Sequence, residues 1–256
     1  EMSASLVGSE MCIRDRNDIL QLPEKIAIEK GIQIVICIDE FQQISDFEDS
    51  KTFQKKLRSV WQLQQHVSYC LFGSKKHLMN ELFEKKNLPF YKFGDAIYLA
   101  KIETKYWIEY ICKRFENTGK HISPELAEEI CRLVDNHSSY VQQLSWLLWI
   151  RTINTATTEQ LSYALEDLLD QNNILFQSET ENLSAYQMNF LKAIVDGIHT
   201  KFSSKEVISK YNLGTSANIV RLKNALLQKE LIETNGKEIV LADPVFGVWF
   251  KKEMLY

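Results

Sequence analysis

"IQIVICIDEFQQI", residues 32–44, decides how the chain is read. A near-continuous run of β-branched residues, apolar at odd and even positions alike, ends abruptly in Asp39-Glu40. An apolar run without alternation predicts a strand covered on both faces, the pattern of a parallel sheet. In an open α/β sheet the ligand crevice lies beyond the carboxyl ends of the strands. Asp39 and Glu40 are placed there by the sequence alone.

The flanks agree with this. "LPEKIAIEKG" (22–31) reads as a short helix with Pro23 in its first turn and Gly31 as its C-terminal cap. "DSKTFQKKLRSVWQLQQ" (49–65) places Phe53, Leu57, Val60, Trp61 and Gln64 at helical spacing. "VSYCLFGS" (67–74) predicts a second buried strand, "KKHLMNELFEK" (75–85) a helix and "AIYLAKI" (96–102) a third short strand. The alternation of strand and helix defines an α/β part with a parallel sheet. Past residue 103 the strands stop. Four helical stretches follow between 104 and 172, the second capped by Ser123 with Pro124 behind it. From 184 onward the order is helix, helix, turn, helix, hairpin, the order of a winged helix-turn-helix. Thr215 or Ser216 caps its third helix, and Asn235-Gly236 marks a type I′ hairpin turn.

Composition excludes several classes. The 256 residues are 45% hydrophobic and 25% charged, with a net charge of -4, so no global basic field advertises nucleic acid. The apolar run "LSWLLWI" (144–150) is far too short to span a bilayer. The five cysteines, at 12, 37, 70, 112 and 131, form no CxxC pair. Cys37 and Cys70, inside strand-like runs, are expected to pack as small hydrophobes, which points to a reducing cytoplasm. The five histidines show no ligand spacing. Across 184–256 ten Lys and Arg face seven Asp and Glu, a balance of +3. Asn218, Arg221, Lys223 and Asn224 on the third helix are candidate DNA contacts. A protein-contacting or autoinhibitory wing fits the same residues.

The strand end has a chemical reading. Asp39 would hold Mg²⁺ through water, because magnesium keeps much of its hydration shell. Glu40 would orient and polarise an attacking water. Ser74, after the neighbouring strand, would place a hydroxyl near a γ-phosphate. The plain alternative is a buried strand that ends in a solvated acidic turn.

Taken together, "IVICIDEFQQI", "CLFGSKKHLM", "PFYKFGDAIYL" and "DPVFGVWF" resemble the archaeal-type ATPases, in the AAA+/STAND group of P-loop NTPases. The resemblance runs from about residue 17 to the end. It implies a partial P-loop NTPase core (17–102), a helical lid (103–175) and a winged helix (184–256). It implies ATP and Mg²⁺ as cofactors, Asp39 and Glu40 at Walker B positions and Ser74 at the sensor position. It leaves room for an oligomer, in which Lys92 either reaches a neighbouring subunit's phosphate or is simply solvated. Two departures stand out. "NHSSYVQQL" (136–144) replaces the Gly-x-Pro-like turn of the lid, and no GxxxxGK[ST] phosphate loop occurs in the sequence. "LVGSEMCIRDR" (6–16) resembles instead the translation of a transposase-type sequencing adapter, so residues 1–16 are expected to be an artefact of a truncated reading frame. The chain as written is then expected to bind ATP poorly. The rival expectation is a non-catalytic winged-helix regulator that binds DNA or protein.

Overall fold

The computed structural model describes residues 17–254, so the adapter-like stretch lies outside the described residues. The chain divides between Tyr98 and Leu99 into two compact units.

The first unit begins with helix α1 over residues 17–30. It starts earlier than Pro23 suggested. Proline removes a single helical hydrogen bond, and the preceding turn is retained by other ties. Leu20 packs against the unit's core, and its carbonyl accepts Gln64 Nε2 at 2.9 Å. Gly31, at φ +61°, ends the helix as expected, with Ile32 N donating back to Ala27 O at 3.0 Å. Strand β1 (Ile34–Ile38) pairs in parallel with β2 (Val67–Leu71), in the register Ile34↔Val67 to Ile38↔Leu71. Between them lie a 3₁₀ turn (Phe41–Asp46) and helix α2 (Ser50–Trp61). Helix α3 (Lys76–Glu84) follows β2. One face of the sheet closes on a largely aromatic core. Trp61 stacks on Tyr69 with centroids 4.1 Å apart, and Phe41 meets Phe90 edge-on at 5.3 Å.

Two expectations fail here. Residues 96–102 form no strand: β1 and β2 pair only with each other, and Ile97 and Leu99 are 85% and 92% exposed. A β-prone run becomes a strand only where its backbone finds a partner, and none is offered among the described residues. The second face of β1 is also uncovered among the described residues. Val35 and Cys37 are exposed, as is Cys70 on β2, so these cysteines are not the buried hydrophobes the pattern implied.

The second unit contains the four expected helices α4 (Thr104–Glu116), α5 (Pro124–Leu133), α6 (Ser138–Arg151) and α7 (Thr158–Glu181). Ser123 caps α5 through Leu126 N, and Thr157 with Gln160 forms a capping box on α7. Helix α7 runs past the expected end near residue 172. Its added turns carry Phe176, buried against Phe246 at 5.4 Å, and Asn173, whose Oδ1 accepts Trp249 Nε1 at 2.8 Å. Then come α8 (Ala185–Val195), α9 (Lys205–Tyr211), α10 (Ser216–Gln228), the antiparallel pair β3 (Ile232–Asn235) and β4 (Glu238–Leu241), and a further helix α11 (Pro244–Met254). The expected order is present. Thr215 is the residue that caps α10.

The hairpin turn differs from expectation in type. Asn235 pairs with Glu238, so Gly236 and Lys237 are the central pair. Gly236 alone has positive φ, at +61°, the mark of a type II′ turn with glycine first. One continuous core joins Trp107 on α4 to Phe250 on α11.

Candidate active site

The candidate site is built at the carboxyl ends of β1 and β2. Phe72 N donates to Ile38 O at 3.1 Å and Phe41 N to Phe72 O at 3.0 Å, which extends the ladder one step past the strands. Glu40 lies inside this clasp in the left-handed region, at φ 49° and ψ 40°. A non-glycine residue there costs about 1–2 kcal/mol. Such outliers persist where the surrounding structure over-determines them, commonly at functional sites.

The turn brings three of the predicted residues to one place. Asp39 is exposed, and its Oδ1 accepts the Glu40 backbone N at 2.8 Å. The Ser74 hydroxyl donates to Glu40 Oε1 at 3.0 Å and reaches Oε2 at 3.3 Å. Gln42 Nε2 donates to Glu40 Oε2. These contacts hold the Glu40 carboxyl below the usual glutamate range. The Ser74 hydroxyl is the largest cause and the Gln42 amide the next, with the Lys75 charge a smaller one and partial burial opposing all three. The result is an ionised carboxylate with a donor on each oxygen.

Gln42 was not singled out by the sequence, and neither was the role of Gly73. Gln42 is 2% exposed. A Cβ placed on Gly73 would stand 1.9 Å from Gln42 Oε1. The only advance signal was the pair of glutamines following Asp-Glu, and Gly73-Ser74 read as an ordinary turn.

The oxygen donors at this strand end suit magnesium. Asp39 offers an exposed carboxylate, and Glu40 stands behind it as a second acid. Among the described residues no group of three His, Cys, Asp or Glu is placed to hold a metal ion, so water or ligand oxygens would have to complete any shell here. Lys92 is exposed at φ 50°, with its Nζ 5.6 Å from the Tyr91 ring centroid.

The candidate DNA contacts on α10 do not all share one face. Arg221 and Asn224 are exposed and three residues apart, on the same side of the helix. Lys223 is half-buried. Asn218 is already engaged, its Nδ2 donating to Leu213 O at 3.0 Å, where it braces the turn before the helix. The hairpin also exposes Glu233, Lys237 and Glu238, so its charge is not uniformly basic.

Comparison with known proteins supports the architecture. Residues 174–252 match the family model of a probable winged helix domain. The fold is similar to that of a Walker-type ATPase of Pyrococcus abyssi, with a TM-score of 0.70 and 17% identity. That alignment covers 92% of this chain and 67% of the other, so the chain spans about two thirds of its length. Weaker matches include the RuvB Holliday-junction branch-migration motor of Thermotoga maritima (TM-score 0.43, 14% identity, 81% of this chain and 66% of that one). The Orc1 protein of Aeropyrum pernix, solved in complex with DNA, gives a TM-score of 0.42 at 10% identity, over 86% of this chain and 64% of that one. A search of curated proteins finds no match. No helix among the described residues is long and apolar enough to cross a membrane.

Proposed function

We propose that the first unit carries the magnesium-and-water half of a P-loop ATPase site. The whole protein would couple ATP binding and hydrolysis to movement of the helical lid (103–175) and the winged helix (184–256). One observation carries this reading. A hydroxyl from the end of β2 grips a strained, ionised carboxylate at the end of β1, beside an exposed aspartate. A solvated acidic turn has no need of left-handed backbone at Glu40 or of two converging side-chain donors.

In this reading Asp39 holds Mg²⁺ through water, and magnesium supplies charge neutralisation for the phosphates. Glu40, ionised, accepts a hydrogen bond from the attacking water and orients it. Ser74 holds Glu40 and is placed to lose or change that contact as the γ-phosphate leaves. The amides and lysine that cradle phosphates are not supplied by this sequence, which contains no GxxxxGK[ST].

The test begins with the source locus, sequenced across the codons for residues 1–40 and expressed with whatever reading frame precedes them. With an upstream phosphate loop present, Glu40→Gln should abolish ATP turnover and leave ATP binding intact. Unchanged turnover removes Glu40 from its role. A genomic frame without a phosphate loop, and no ATP binding, leaves the winged-helix regulator as the function. The present chain alone is expected to bind ATP more weakly than micromolar.

A further inference from the structure

Beneath Glu40 lies a side chain that this scheme does not use. Gln42 is 2% exposed, on a turn whose other buried residues are Phe41 and Ile44. The two polar atoms of its amide fare differently. Nε2 donates to Glu40 Oε2. Oε1 is buried without a hydrogen-bond partner among the described residues, directed at the Cα of Gly73. The amide cannot be turned over, since Oε1 would then face the Glu40 carboxylate.

A buried acceptor left unpaired is costly to a fold, and an apolar side chain of the same size would suit this core better. What the amide supplies is a donor fixed in place on the Glu40 carboxylate. With Ser74 on Oε1 and Gln42 on Oε2, the plane of the carboxylate is set from two separate elements. Ser74 is exposed and Gln42 is not, so the two donors differ in kind. The serine hydroxyl is free to rotate toward an incoming group. The packed glutamine is held by the core.

We propose that Gln42 is the positioning residue for Glu40, and that the bare Cα of Gly73 is the space that lets it act. This rests on the reading of Glu40 as the water-orienting base. Gln42 keeps the carboxylate aimed through the interval in which Ser74 changes partner. Gly73 is therefore required for what it lacks, because any Cβ there takes the place of the amide oxygen.

The experiment uses Gln42→Met, which keeps the volume and removes the donor. On the chain itself, the carbon-13 resonance of the Glu40 carboxyl is followed at neutral pH alongside urea unfolding. That resonance should shift when the Gln42 donor is lost, while the variant unfolds at the same or a higher urea concentration. Gly73→Ala should shift it the same way. In any product of the source locus found to hydrolyse ATP, kcat should fall about tenfold or more with the KM for ATP unchanged, the mark of lost positioning rather than lost binding. A Glu40 carboxyl resonance unmoved by Gln42→Met, with the fold weakened, makes Gln42 a packing residue and overturns the assignment alone. Turnover that survives Glu40→Gln overturns the base reading, and with it any catalytic purpose for the contact.

Discussion

The contact between Gln42 and Gly73 predicts a non-additive pair of mutations. In Gly73→Ala the new methyl meets Gln42 Oε1 at 1.9 Å, Gln42 Cδ at 3.0 Å and Met79 Sδ at 3.2 Å. The first distance is impossible, so the amide has to swing. Gln42 is 2% exposed, so it swings into filled space. Overpacking of this kind costs about 1–3 kcal/mol. The displaced amide also gives up its bond to Glu40. Gly73→Ala alone should therefore lose about 1–3 kcal/mol. Gln42→Ala alone should lose about 1–2 kcal/mol, since the lost bond and the cavity are offset by removal of an unpaired acceptor. With both changes the clash is gone and the methyl introduced at position 73 fills part of the space, so the double variant should recover about 1–3 kcal/mol relative to the sum. The assay is urea unfolding followed by fluorine NMR of 5-fluorotryptophan, read at Trp61, the one tryptophan of the first unit. Effects that add to within about 0.5 kcal/mol would refute the reasoning, because independent sites behave that way.

Other expectations concern the second unit. Tyr140→Phe removes a hydroxyl that donates to Asp243 Oδ2 at 2.5 Å in a site where Tyr140 is 9% exposed. A loss of about 1.5–3 kcal/mol is expected in denaturant unfolding, and a loss below about 0.5 kcal/mol would show the bond to be incidental. Glu179 has its carboxyl raised above the usual range, first by burial and then by the Asp243 charge. The folded state thus binds that proton more tightly than the unfolded state, and stability falls as pH rises from the ordinary glutamate range through the folded pKa. Glu179→Gln should unfold at higher temperature than the parent at pH 7 and match it near the acid end; the opposite order at pH 7 would sink the assignment. Gly236→Ala meets nothing within 4 Å, so its only penalty is the φ of +61°, about 1–2 kcal/mol by thermal unfolding. An unchanged melting temperature would mean that the hairpin turn had rearranged.

Much of the unit order was legible because it depends on local pattern. The capping signals at Ser123 and Thr215 act over three or four residues and appear as capped helices. The strand with its terminal Asp39-Glu40 was visible because an apolar run broken by two acids is itself one-dimensional information. Pairing is not. Among the described residues "AIYLAKI" has strand chemistry and no neighbour, and the second face of β1 has strand chemistry and no cover. The same limit applies at the hairpin, where "NG" was legible but the register that makes Gly236-Lys237 the central pair was set by cross-strand contacts.

The sequence by itself determined the change from α/β to mostly helical character, most helices of the second unit and the position of Asp39 and Glu40 at a strand end. Each follows from periodicity, caps and turn residues acting between near neighbours. Tertiary structure alone decided that Ser74, 34 residues away, would grip Glu40, because the parallel register aligns the two strand ends. It alone made Gln42 a buried donor and Gly73 a required void. A void and an unpaired oxygen are properties of atoms brought together across the fold, and no spacing along the chain encodes them.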